Sequence, residues 1–133
     1  MSNKPIASFI LVLIAAIIDF ITGLVILAGG SIAVSMVSRQ LGVPWIVGII
    51  MMFAVWWIIC GGLLILASIW INSGEPGKVR NGGIIAIIFG ILSLNILVII
   101  LSIIGGVLAL TWKPPQRNIV TAPPEQPEAE EVI

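Results

Sequence analysis

The chain has 133 residues, of which 59% are hydrophobic and 9% charged; six basic and six acidic groups give a formal net charge of zero. A soluble domain carries about a quarter charged residues, so this composition cannot cover a water-facing surface and excludes a soluble globular fold. There is no His, no Tyr and a single Cys, which leaves no catalytic residue set, no metal site and no cofactor-binding motif to assign. No basic stripe with interleaved aromatics is present, and nucleic acid is not expected as a partner.

The first apolar block covers about 6–29, from Ile6 past Asp19 to the pair Gly29-Gly30. Pro5 suits the start of a helix, where no backbone N–H is required, and the glycine pair suits its end. The block is longer than a secretory h-region of about 7–15 residues and lacks a clear cleavage site, so it reads as a retained spanning helix. Residues 31–44 mix Ser31, Ser35, Ser38, Arg39 and Gln40 with apolar residues. That pattern predicts a short helix or turn lying at the membrane surface.

The second block covers about 45–71, opened by Trp45 and closed by Trp70. At about 1.5 Å per residue the two tryptophans stand about 37 Å apart, headgroup level to headgroup level, and Trp favours those interfaces. Trp56-Trp57 lie in mid-helix, where adjacent side chains diverge by about 100°; one is expected to face lipid and the other to pack inward. The lone Cys60 reads as a small buried hydrophobe. A polar loop, rich in turn residues, is expected over 72–82.

The third block, 83–112, is too long for one span, at about 45 Å, and short for two. Ser93-Leu94-Asn95 is its one polar break. Charge placement favours the hairpin, because basic residues near span ends accumulate on the cytoplasmic side. Four spans put Lys4, Lys78, Arg80, Lys113 and Arg117 on one side and Arg39 alone on the other; three spans split them evenly. The expected fold is therefore an all-α integral membrane protein. It is a four-transmembrane-helix bundle with spans at about 6–29, 45–71, 83–94 and 96–112, and three spans as the alternative. Both termini are cytoplasmic in the cell membrane, and Trp112 is a third interface anchor. The transmembrane domain takes residues 1–113. A Pro- and Glu-rich tail over 114–133 is expected to be disordered.

Gly82-Gly83-Ile84-Ile85-Ala86-Ile87-Ile88-Phe89-Gly90-Ile91-Leu92-Ser93-Leu94, followed by Ile103-Ile104-Gly105-Gly106-Val107-Leu108-Ala109-Leu110 and Trp112-Lys113-Pro114, resembles the closing hairpin of small four-span membrane proteins of unknown function from bacteria and archaea. The resemblance covers about 82–114 and implies four spans. It implies no activity and no functional residues.

Two kinds of residue stand out inside the blocks. Asp19 is the one charged residue deep in a span, where an ionised carboxylate costs several kcal/mol unless paired, hydrated or neutralised. It is either a helix-bridging group, with Thr22 one turn along and Ser or Asn on neighbouring helices as partners, or an ion or proton site. Small residues are the other kind: Ala15, Gly23, Gly61, Gly62, Gly90, Gly105 and Gly106 are candidate helix-packing positions, since close approach at small residues is what packs helices in lipid. These features point to a protein without catalysis, a structural or accessory subunit whose partners are the bilayer and other membrane subunits or further copies of itself. The alternative is a homo-oligomeric ion or proton transport element built on Asp19.

Overall fold

The computed structural model describes residues 4–116, and all the regular structure among them is helical. Helix α1 (Ile6–Val25) passes through a π-helical turn (Ile26–Gly30) into α2 (Ser31–Leu41); α3 (Trp45–Asn72), α4 (Pro76–Leu92) and α5 (Ile96–Thr111) follow. Two stretches are long and apolar enough to cross a membrane: the continuous 36-residue helix Ile6–Leu41 and the 28-residue helix Trp45–Asn72. The expectations for the tail, and for Arg117 within it, fall on residues 117–133, outside the described residues.

The expected helix end at Gly29-Gly30 is corrected. A glycine stops a helix when it turns left-handed, and Gly30 stays right-handed at φ −66°, ψ −33°. The chain absorbs the pair as a π turn instead. Residues 31–41 therefore continue the helix rather than forming a separate segment. The stop comes at Gly42, which is left-handed at φ 70°; the Val43 N–H then reaches the Ser38 carbonyl at 3.1 Å, closing a Schellman-type cap.

The polar loop is also shorter than expected. Pro76 sits in the first turn of α4, after an extended Glu75, and its fixed φ starts the helix seven residues before the apolar run. A Glu75–Lys78 ion pair at 3.0 Å decorates this turn; at such exposure it contributes little. The third block divides as the polar break indicates, between α4 and α5. The left-handed residue of that turn is Leu94, at φ 57°. Asn95 is extended and precedes α5 without capping it through its side chain.

The helices run alternately up and down. In cross-section α1 lies beside α3 and α5, and α4 lies beside α3 and α5. Lys4, Lys78, Arg80 and Lys113 consequently gather at one end, with Gly74 packed on the Lys4 side chain and Trp112 near Pro5. Arg39 lies at the other end. The core is a thin line of Val12, Ala15, Ala16, Leu64, Ala67, Ile71, Val79, Ala86, Val98 and Ala109. Large aliphatic side chains on all the helices face outward.

Candidate functional site

The interior is closed by contact at small residues. A methyl group on Gly82 would lie 2.8 Å from the Ala67 carbonyl oxygen, one on Gly83 3.0 Å from the Gly106 oxygen, and one on Gly106 2.5 Å from Ile87 Cγ1. A methyl on Gly90 would overlap the Ser102 hydroxyl, and one on Gly105 would meet Val12 at 2.7 Å. Gly23 and Gly61 bring α1 against α3: their added methyls would lie 2.9 Å from the Ala54 oxygen and 2.8 Å from the Phe20 nitrogen. Ala15 is fully buried beside them in the chain's core. Gly62 differs. It faces outward with nothing within 4 Å, so the α3 contact belongs to Gly61.

Polar side chains inside the bundle are turned onto backbone carbonyls. The hydroxyl of Ser68 donates to Ile65, that of Ser93 to Gly90 and that of Ser102 to Val98, at 2.7, 3.0 and 2.6 Å. Ser8 instead crosses between helices and donates to the Gly105 carbonyl. A hydroxyl that returns to its own helix removes the cost of burying it.

Asp19 lacks such a solution. It is 0% exposed, and neither carboxylate oxygen has a hydrogen-bond partner. Thr22, the expected neighbour, donates to the Ile18 carbonyl at 2.7 Å. The serines named above are likewise engaged. An ionised carboxylate here has nothing to offset its desolvation. Its enclosure comes from its own chain, since the next residue, Phe20, packs on Gly61 of α3. Cys60 is buried in the same stretch of α3. Among the described residues no group of three or more His, Cys, Asp or Glu is placed to hold a metal.

The three terminal tryptophans lie at helix ends: Trp45 opens α3 and is 64% exposed, while Trp70 and Trp112 are half-buried near the basic end. The middle pair does something the sequence reading missed. Trp56 Nε1 donates to the Leu92 carbonyl at 3.0 Å, and Trp57 Nε1 donates to the Ser93 carbonyl. Both indoles thus hold the end of α4. The signal was available, because a buried indole N–H needs an acceptor and a helix C-terminus supplies free carbonyls.

Beyond this contact, on the side away from the basic end, an apolar groove of about 850 Å³ opens between α3 and the α4–α5 turn, lined by Met51, Met52, Val55, Trp56, Leu92 and Leu94 among others. A smaller groove of about 220 Å³ separates α2 from the start of α3. No family model matches the chain, and neither a curated protein nor a solved structure matches it.

Proposed function

We propose that this chain is an integral membrane protein with no chemistry of its own, a structural or accessory subunit that packs in a membrane complex. Its four bundle helices insert in the cell membrane from the cytoplasmic side, with the end bearing Lys4, Lys78, Arg80 and Lys113 facing the cytoplasm, as the positive-inside bias requires. The likeness of 82–114 to small four-span proteins agrees with this reading. The observation that carries it is the direction of the side chains. Interior hydroxyls are spent on backbone carbonyls, glycines seal the helix contacts, and large apolar groups face outward on every helix. Such a surface is at home only against hydrocarbon or other apolar helices. The part of the molecule beyond the α4–α5 turn adds Met36, Leu41, Trp45 and Met52 as exposed contact groups.

The transport alternative draws no support from Asp19. A ring of copies would need that carboxyl at an outer face, and it is enclosed by its own chain. Purification from native membranes in mild detergent tests the proposal. The expected result is a particle larger than one chain, containing a partner subunit or further copies. A strictly monomeric particle without any partner would sink it.

A further inference from the structure

Helix lengths set the geometry. The apolar run of α1 with its π turn, and α3 from Trp45 to Trp70, each extend about 37 Å, whereas α4 and α5 extend only about 25 Å. All four have one terminus at the basic end, so the α4–α5 hairpin stops short. The stopping level is fixed by the indole contacts. Trp56 and Trp57 hold the last carbonyls of α4; helical side chains lean toward the helix N-terminus, so the indoles meet α4 on the Trp45 side of the Trp57 Cα, which itself lies about 20 Å along α3 from Trp70. Set in about 30 Å of hydrocarbon, a hairpin of at most about 25 Å ends at least about 5 Å beneath the far boundary.

On these grounds, and resting on the membrane reading above, we infer that the α4–α5 turn is a submerged tip: it ends within the hydrocarbon of the far leaflet, and lipid acyl chains rather than water cover it. Three independent features of the tip agree. Its most exposed side chains are apolar, with Leu94, Ile96 and Leu97 exposed by 66%, 74% and 61%, while the one polar side chain among them, Asn95, is half-buried. Leu94 also holds a left-handed conformation, φ 57°, which costs an L-residue about 1–2 kcal/mol and which Gly or Asn would relieve in a water-facing turn. A leucine there is explained when its side chain dissolves in hydrocarbon.

The third feature is the treatment of the carbonyls. An unpaired carbonyl in hydrocarbon costs several kcal/mol, while water solvates it freely. Here the Phe89 carbonyl accepts the Ser93 N–H, and Ile91 accepts the Leu94 N–H. Gly90 accepts the Ser93 hydroxyl. The Leu92 and Ser93 carbonyls take the two indoles. Each of the five carbonyls from 89 to 93 therefore has a donor from the protein, including two supplied by long-range tryptophans that a wet turn would not need. The first turn of α5 has no side-chain cap. That places the tip in the outer part of the hydrocarbon, within reach of ester-level water, rather than at the midplane. The groove beyond the tip, lined by Met51, Met52, Val55, Trp56, Leu92 and Leu94, then holds far-leaflet acyl chains.

The test uses the full chain with Cys60→Ala in membrane vesicles of both orientations. Single cysteines are introduced as Leu94→Cys at the tip, Gly42→Cys beyond it and Gly77→Cys at the basic end. Leu94→Cys is expected to resist a membrane-impermeant maleimide from both sides, at least tenfold more slowly than Gly42→Cys from outside, and to react once detergent replaces the bilayer. A nitroxide at the same cysteine is expected to collide more with oxygen than with a water-soluble nickel chelate. Labelling of Leu94→Cys from outside at the rate of Gly42→Cys, or a nickel-dominated spin label, overturns the submerged tip and leaves a full crossing. Extraction of the whole protein by alkaline carbonate overturns the membrane reading itself, which is a separate result.

Discussion

The half of the bundle near the basic end and the half beyond the α4–α5 turn are built from the same few residue types, yet glycine does opposite things in them. Near the basic end four helices meet, and Gly82, Gly83, Gly90, Gly105 and Gly106 each stand where one added methyl would collide. Beyond the turn only α1–α2 and α3 continue, and Gly29 and Gly48 have nothing within 4 Å. A glycine in a membrane-type helix is therefore no mark of packing by itself. What gives it that role is a neighbouring helix close enough to touch it, as α3 is for Gly23.

Gly106→Leu breaks the comparison most directly. Its side chain would enter the space of Ile87 and the Gly83 carbonyl, and overpacking of this kind costs about 3 kcal/mol or more where backbone must move. Gly48→Leu should cost less than about 0.5 kcal/mol, as an outward substitution does. Thermal unfolding in detergent, followed by circular dichroism, compares the pair. Equal losses would mean that the two halves are packed alike.

The joint between the halves is next in size. Trp57→Phe keeps most of the packing but leaves the Ser93 carbonyl without its donor, a loss of about 1–3 kcal/mol for a buried acceptor. Trp56 is more exposed, so Trp56→Phe should cost about half as much. Denaturant unfolding midpoints check the order; a larger loss at Trp56 would shift the anchor from the Ser93 contact to the Leu92 contact.

These contrasts show how far the sequence is legible. Ser93-Leu94-Asn95 marks the hairpin because polar residues are rare enough in an apolar block to locate a turn. The common placement of Lys4, Lys78, Arg80 and Lys113 follows from counting helices. Gly29-Gly30 misleads, since composition does not say whether a glycine will turn left-handed; Gly42 does so and Gly30 does not. Gly61 and Gly62 are indistinguishable in sequence and are separated by one step of about 100° around the helix. Asp19 is visible as the one charge deep in an apolar block, but the engagement of Thr22 with its own helix is a matter of rotamer, which no spacing reveals.

Asp19→Asn has a smaller expected effect. The amide is nearly the same shape as the carboxyl and cannot ionise, so the substitution removes any cost of a buried charge without opening a cavity. Stability should stay equal or rise by about 1 kcal/mol. Ion flux into liposomes should be absent for both wild type and variant. A variant that unfolds, or a wild-type flux abolished by the substitution, would give the carboxylate a role that its enclosure by α3 does not suggest.

The smallest effect is confined to neighbouring residues of the π turn. Gly29 faces open space, so Gly29→Ala gains helix propensity and restricts the unfolded chain, a stabilisation of about 0.5–1 kcal/mol. Gly30 differs by one position, and there an added methyl would lie 3.1 Å from Ile26 Cγ2. That contact is tight enough to offset the same gain, and Gly30→Ala should leave the melting temperature unchanged. Both residues lie in the unsupported half, so a difference between them isolates local crowding from bundle packing. If both alanines stabilise equally, the Ile26 side chain yields freely, and the π turn is held by the backbone rather than by its own side chains. If Gly29→Ala destabilises, a further chain packs on that face, and the far half is not free of partners.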